Sequence, residues 1–343
     1  MKKKVAILFG GQSTEHEVSR VSASSVLRNI DSSKYDVYPI GITKDGKWFE
    51  YTGSIENIEN GEWEKDEFYK NPNGQEILFN REVDVVFPVM HGLYGEDGTI
   101  QGLCKLLGLP CVGPGVMSSA VCMDKVYTKY VLENFSIKQA EYVVVNAFEY
   151  AKEKEKLIEK IEKELNYDVF IKPSNSGSSV GISKAHNRRE LEEGLENALK
   201  FDRKILVEKA INAREVEVAV LGNDEPIAAT PGEIIPANEF YDYEAKYSNA
   251  ESKLLIPANL SEEKLEFVKN EAVKIYKILD CAGLSRVDFL IDKDTEEVYL
   301  NEINTIPGFT KISMYPKMWQ ASGKGYSELI SELIEFAIER NNI

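Results

Sequence analysis

The stretch Arg286 to Thr310, RVDFLIDKDTEEVYLNEINTIPGFT, constrains the fold more than any other part of the chain. It opens with the short alternating run Arg286-Val287-Asp288-Phe289, passes through a charged turn, and returns as Val298 to Asn304. Residues two apart on a strand share a face, so Arg286 and Asp288 point together, as do Glu302 and Asn304. A hairpin that sets those faces side by side gathers two carboxylates, an amide and a guanidinium. That is a hard oxygen set of the kind magnesium accepts, with room left for water and substrate phosphates. A polar hairpin kept wet by its acids explains Asp292, Asp294, Glu296 and Glu297 in the turn. It does not explain Glu302 and Asn304 beside the apolar Leu300.

An anion partner has to be reconciled with the charge of the whole. The chain has 343 residues, enough for two or three domains, and a net charge of -16. That balance argues against nucleic acid or an anionic membrane as partner, since phosphates are repelled at long range. A small anionic substrate then needs a local basic pocket or a metal. Cys104, Cys111, Cys122 and Cys281 lack CxxC spacing and read as free thiols of a reducing compartment. The apolar run after the basic start covers only Val5 to Phe9, and no stretch reaches membrane-spanning length, so a cytoplasmic location is expected.

Val5 to Phe9 reads as a buried strand running into Gly10-Gly11, and Thr14 with Glu17 as a capping box opening a helix. GxGxxG is absent, which argues against a nicotinamide cofactor. Glu15 fits either a substrate ammonium or the dipole of the first helical turn. Tyr35 to Thr43 reads as a strand, and 44–80 as a polar, irregular insertion. Val83 to Met90 has the continuous apolar character of a strand buried on both faces, and it delivers His91-Gly92-Leu93-Tyr94-Gly95-Glu96-Asp97-Gly98. So many glycines in a strand-end loop mark a backbone that approaches something closely.

Leu109 to Val112 reads as a short strand, Met117 to Phe135 as a helix bearing Lys125, and Glu149 to Leu165 as an exposed amphipathic helix. Asp168 to Lys172 is a strand feeding PSNSGSSVG, after which Ile182-Ser183-Lys184 returns as a strand. Such a loop can wrap phosphate oxygens with backbone N–H groups, as a flap between antiparallel strands, or be a plain serine-rich hairpin. It lacks the GK[ST] ending of a P-loop. Glu208 and Lys209 end the strand Lys204 to Lys209, where they can read an adenine edge and a ribose or serve as edge-strand charges. Glu215 to Leu221 is a further strand, and the loop 240–257 has the aromatic and ionic density of a lid. Helices follow at Ser261 to Asp280, N-capped by Ser261, and at Tyr326 to Arg340.

Taken together, GGQSTEHEVS at 10–19, HGLYGEDGTIQG at 91–102, MDK at 123–125, KPSNSGSSVG at 172–181, FYDYEAKY at 240–247, and RVD with NEINTIPGFT resemble the D-alanine:D-alanine ligases of the ATP-grasp superfamily, in the family's order. The resemblance implies a multidomain α/β and α+β chain. An N-terminal α/β domain with a parallel-type sheet (1–113) precedes a two-domain ATP-grasp fold, central (114–211) and C-terminal (212–343), with the lid at 240–257. It implies magnesium at Asp288, Glu302 and Asn304, as two ions bridged by Glu302, with manganese as a substitute. Lys125 and Lys172 would meet the ATP phosphates beneath a flap bearing Ser178 and Ser179. Glu208, Lys209, Ile211 and Glu215 would hold adenine and ribose.

The implied reaction activates one D-alanine as an acyl phosphate and joins it to the amine of a second. Glu15 would hold the first ammonium, with Ser178 and Tyr247 linked to it, and Arg286 with the Gly308 N–H would stabilise the tetrahedral oxyanion. His91, Lys246, Ser313 and Met314 would contact substrate. A homodimer is implied, with D-alanine and ATP as small-molecule partners. Two alternatives stay open: D-serine as the second substrate, and a nucleotide-binding module without ligation. The complete set of Arg286, Asp288, Glu302 and Asn304 argues against the second.

Overall fold

The structure, a computed structural model, describes residues 2–178, 180–235 and 253–341. Its first sheet is built on β1 (Lys3–Gly10), which pairs in parallel with β2 (Tyr35–Ile42) on one side and β5 (Val85–Pro88) on the other. Two short strands, β3 (Trp48–Tyr51) and β4 (Lys70–Pro72), extend it antiparallel beyond β2, giving the order β4-β3-β2-β1-β5. With neighbours on both edges, β1 buries Val5 through Phe9 completely.

Several expectations change here. Residues 44–80 are not an irregular insertion. They supply β3 and β4, and they carry Trp63, fully buried with its ring 5.0 Å from that of Phe9. The capping box does not form. The first helix runs His16–Asn29 without a side-chain cap, Ser13 Oγ instead accepts from the Glu15 N–H at 3.1 Å, and Glu17 pairs with Lys44. Val83 to Met90 shortens to β5, and Leu109 to Val112 contributes one bridge, Cys111 to Val86, rather than a strand.

The expected helix Met117 to Phe135 is two helices, Val116–Met123 and Lys125–Glu133. Asp124 breaks it by taking an extended conformation and accepting from the N–H groups of Val126 and Tyr127, both at 3.1 Å. A short carboxylate that satisfies two orphan donors starts a helix better than it continues one. Cys122, Leu132 and Ile137 from this region pack on the largest sheet.

The second sheet is antiparallel, order β6-β9-β7-β8, from β6 (Tyr142–Asn146), β7 (Val169–Pro173), β8 (Ser183–Ala185) and β9 (Lys204–Lys209). The serine-rich loop therefore connects two antiparallel strands, as its sequence suggests. Helices Ala147–Leu165 and Arg188–Ala198 cover the sheet with Ile158, Ile161, Leu191 and Leu195.

The third sheet centres on β10 (Ala213–Gly222). Short β11 (Ile227–Ala228) and then β12 (Gly232–Ile235) and β13 (Lys253–Leu255) lie to one side, with β14 (Gly283–Asp292) and β15 (Val298–Asn304) to the other, all antiparallel. One face, Val216, Val218, Val220, Val287, Phe289 and Ile291, packs under the helix Glu262–Ile278, which Ser261 caps as expected. The opposite face carries Glu215, Glu217, Arg286 and Asp288 at alternate positions, then Ala219, Leu221 and Leu284. Those last three share a core with β1, the helix Met314–Ala321 and the closing helix Tyr326–Asn341.

Candidate active site

The register of three strands lines up the polar face. Glu217, Asp288 and Glu302 form one row across β10, β14 and β15, and Ala219, Arg286 and Asn304 form the next. Period-2 alternation alone would put Leu300 on that face beside Glu302. A bulge prevents it: the register shifts between Asp288 and Phe289, and Leu300 returns to the core opposite Phe289. The extra residue is Asn301, whose Oδ1 accepts from Lys172 Nζ at 3.2 Å.

Arg286 is held as a fork, with Nε and Nη2 donating to the two oxygens of Asp288 at 2.8 and 2.7 Å and Nε 3.1 Å from Glu217 Oε2. Burial works against its charge, but Asp288 and Glu217 outweigh that and hold the guanidinium well above its ordinary range. Asn304 Nδ2 donates to Asp288 Oδ2 at 2.9 Å.

Lysines face this row, Lys172 from β7 of the second sheet and Lys125 and Lys129 from the helix Lys125–Glu133. Lys125 Nζ is 4.0 Å from Glu302 Oε2 and donates to Ser176 O of the flap at 2.7 Å. Lys172 Nζ lies 2.6 Å from Glu208 Oε2, and Lys129 Nζ 2.7 Å from Glu208 Oε1. Burial alone would raise Glu208, but the two lysines override it and hold the carboxyl down at about 2. Lys172 stays charged for the same reason, with Glu208 outweighing its own burial.

Glu15 stands where two loops converge. Ser178 Oγ of the flap donates to Glu15 Oε1. A Cβ added at Gly177 would stand 2.5 Å from Glu15 Oε2, and one at Gly92 2.6 Å from the same atom. Of the glycines suspected of a close backbone approach, Gly92 makes it to this carboxylate, with a positive φ of 70°, whereas Gly95 approaches Met90 O and Gly98 approaches Val116 O.

A cavity of about 1460 Å³ joins these parts, lined by Glu15, His91, Lys125, Lys172, Ser178, Glu215, Arg286, Asp288, Glu302, Asn304, Gly308, Ser313 and Met314. Other expected residues fall elsewhere. Glu208 lies behind Lys172, Lys209 is exposed beside Glu141 at 3.2 Å, and Ile211 sits between the lining residues Ala210 and Asn212. Met314 lines the cavity only in part, since its side chain is buried in the core with Cε against Gly232. Ser179, Lys246, Tyr247 and residues 240–252 of the expected lid lie outside the described residues, and the end of that stretch is not all loop, since it supplies β13.

His91 reaches the cavity wall, yet both ring nitrogens are occupied, Nδ1 by Ile306 O and Nε2 by Ser22 Oγ, each at 3.0 Å. Burial lowers its basicity and keeps it neutral. Sequence reasoning missed Lys129, Glu217, Asn301 and Glu96. Lys129 is one helical turn from Lys125 and Glu217 one strand repeat from Glu215, so both carried a periodic signal. Asn301 depends on the bulge. Glu96, in the cavity wall, accepts from the N–H groups of Gly92 at 2.7 Å and Ile306 at 3.1 Å. Burial and the nearby Glu15 push it up to about 8.

Two antiparallel sheets that grip one cavity, one offering lysines and a flap and the other a carboxylate row, define an ATP-grasp enzyme. Family descriptions fit both ends of the chain: "D-ala D-ala ligase N-terminus" matches residues 4–114 and "D-ala D-ala ligase C-terminus" residues 131–335. The chain belongs to the D-alanine–D-alanine ligase family. It is 85% identical over 342 residues to the D-alanine--D-alanine ligase of Clostridium novyi (strain NT), and 78% identical over 342 residues to that of Clostridium acetobutylicum; each alignment covers 100% of both chains. Among solved structures it is similar to the VanG D-Ala:D-Ser ligase from Enterococcus faecalis, with TM-score 0.88, 41% identity, and 98% of this chain and 100% of that one covered. The D-alanine-D-alanine ligase from Coxiella burnetii gives TM-score 0.86 and 35% identity, covering 99% of this chain and 95% of that one.

Proposed function

We propose that this protein joins two D-alanine molecules into D-alanyl-D-alanine, with cleavage of ATP to ADP and phosphate, for peptidoglycan precursor synthesis. The observation that carries this reading is that a single cavity is lined by Glu15, Arg286, Lys125 and Lys172. A carboxylate for an ammonium, a buried guanidinium for an oxyanion and two lysines for phosphates are the separate requirements of a ligation through an acyl phosphate.

Asp288, Glu302 and Asn304 fit magnesium by chemistry and by register, as hard oxygen donors on adjacent strand positions of one face. Magnesium, when bound, neutralises charge on the transferring phosphoryl group. The chain's own groups do the rest. Glu15, steadied by Ser178, orients the first D-alanine, and Lys125 and Lys172 align the ATP phosphates. Arg286 and the Gly308 N–H then receive the charge that develops on the carbonyl oxygen as the second amine attacks. Two magnesium ions, a homodimer and a cytoplasmic setting complete the reading.

Incubation with Mg-ATP and D-alanine is expected to yield dipeptide and phosphate one to one, and loss of both on chelation of the metal; absence of dipeptide overturns the reading. D-serine run alongside D-alanine is expected to be the poorer acceptor. Arg286→Ala is expected to raise the barrier to turnover by about 2 to 4 kcal/mol while ATP affinity holds. An equal fall in ATP affinity would assign Arg286 to the nucleotide instead.

A further inference from the structure

Gly308 presents a difficulty. Glycine is the least preorganised of residues, yet a donor to an oxyanion must be aimed before the charge forms. A Cβ there would stand 2.8 Å from Ser313 Oγ, so a larger residue would have to turn that hydroxyl away. Its stiffness must come from outside the loop.

The N-terminal domain supplies it. Ile306, two residues before Gly308, has both backbone groups held by side chains more than 200 positions away in sequence. Its C=O accepts from His91 Nδ1 at 3.0 Å and its N–H donates to Glu96 Oε1 at 3.1 Å. Phe309, one residue after, donates its N–H to Ser22 Oγ at 3.3 Å. The holders are themselves fixed. Glu96 Oε2 accepts from the Gly92 N–H at 2.7 Å, and Ser22 Oγ is 3.0 Å from His91 Nε2. With Nδ1–H on a carbonyl, Nε2 is the ring acceptor, so the Ser22 hydroxyl donates there while its lone pair receives Phe309. Between the two pinned residues stand Pro307, whose φ is fixed by its ring, and Gly308.

We propose that Glu96 and Ser22 are positioning residues that clamp the Ile306–Phe309 backbone and so aim the Gly308 N–H during peptide bond formation. The proposal rests on the reading of Gly308 and Arg286 as the oxyanion stabilisers. It gives the Gly92–Glu96 loop a second task beside the close approach to Glu15, and it ties the first-substrate site to the point of ligation.

Glu96→Gln and Ser22→Ala in the full chain test it. Gln keeps the shape but turns an amide N–H2 toward one of two backbone donors, and Ala removes a hydroxyl from a site with no exposure. Amide hydrogen exchange is expected to quicken selectively at Ile306 in the first variant and at Phe309 in the second. Turnover is expected to fall about 10- to 100-fold with the KM for ATP unchanged, as when a catalytic donor is slightly misplaced. Released phosphate should exceed dipeptide, because acyl phosphate that waits too long is hydrolysed to D-alanine and phosphate. Parental exchange at both amides, a one-to-one ratio in both variants, or ATP KM and turnover worsening together would overturn the proposal. Arg286→Ala separates the two levels. If it slows ligation while the clamp variants do not, only the clamp fails; if it leaves ligation intact while Ile306 exchange still quickens in Glu96→Gln, the oxyanion reading fails.

Discussion

Glu208 sits between Lys129 and Lys172, and all three side chains are almost wholly removed from solvent. The three groups together carry one net positive charge, set against Glu302 and Glu215 of the facing sheet, which also act on Lys172. Removing one partner from a buried ionic cluster costs far more than the pair contributes against an apolar alternative. Lys129→Met is therefore expected to lower stability by about 3 kcal/mol, read as a fall in melting temperature, less if Lys172 alone satisfies the carboxylate. The pH dependence follows from the same contacts. Glu208 is depressed from 4.5 to about 2, so the stability it contributes is complete above pH 4.5 and is lost as pH falls toward 2. In Lys129→Met the carboxyl is less depressed, so the loss still begins near pH 4.5 but ends at higher pH and is smaller, seen as a shallower fall of melting temperature with acidification below pH 4.5. An unchanged slope would mean Lys172 alone sets the acidity.

At the level of elements, the break at Asp124 does the most for the site. Its carboxylate caps the helix that opens with Lys125, accepts from Ser174 Oγ at 2.6 Å, and pairs with Lys204 of β9. One residue thus fixes Lys125, the lysine proposed to meet the ATP phosphates, to the sheet that bears the serine-rich loop. Asp124→Ala is expected to cost about 1 to 2 kcal/mol from the cap alone, and to raise the KM for ATP as Lys125 loses its anchor; a normal KM would separate cap from site. The hairpin at Arg286 to Asn304 was legible in the sequence because its chemistry follows strand periodicity. The bulge at Asn301 was not, since it follows from how β15 settles against β14. Trp48–Tyr51 and Lys70–Pro72 escaped notice because so short a strand has no measurable period, and its pairing is decided by neighbours far along the chain. Glu96 escaped for the same reason at residue level: its partner Ile306 is 210 positions away.

Over the whole molecule, the closing helix Tyr326–Asn341 completes a core that begins at β1. Leu329, Ile330, Leu333 and Ile334 are fully buried in the cluster that holds Val5, Ile7 and Phe9, and Lys3 Nζ reaches Glu335 Oε2 at 2.6 Å. A chain stopped before residue 326 is expected to be insoluble or loosely packed, because one face of the first core would then meet water. A soluble, cooperatively melting product would show that the N-terminal sheet suffices by itself. The family and the three sheets explain what the finished enzyme does, and this helix says something about how it is made. The first strand leaves the ribosome more than 300 residues before the surface that covers it. During synthesis, β1 must wait, partly uncovered, until the helix Tyr326–Asn341 has been made.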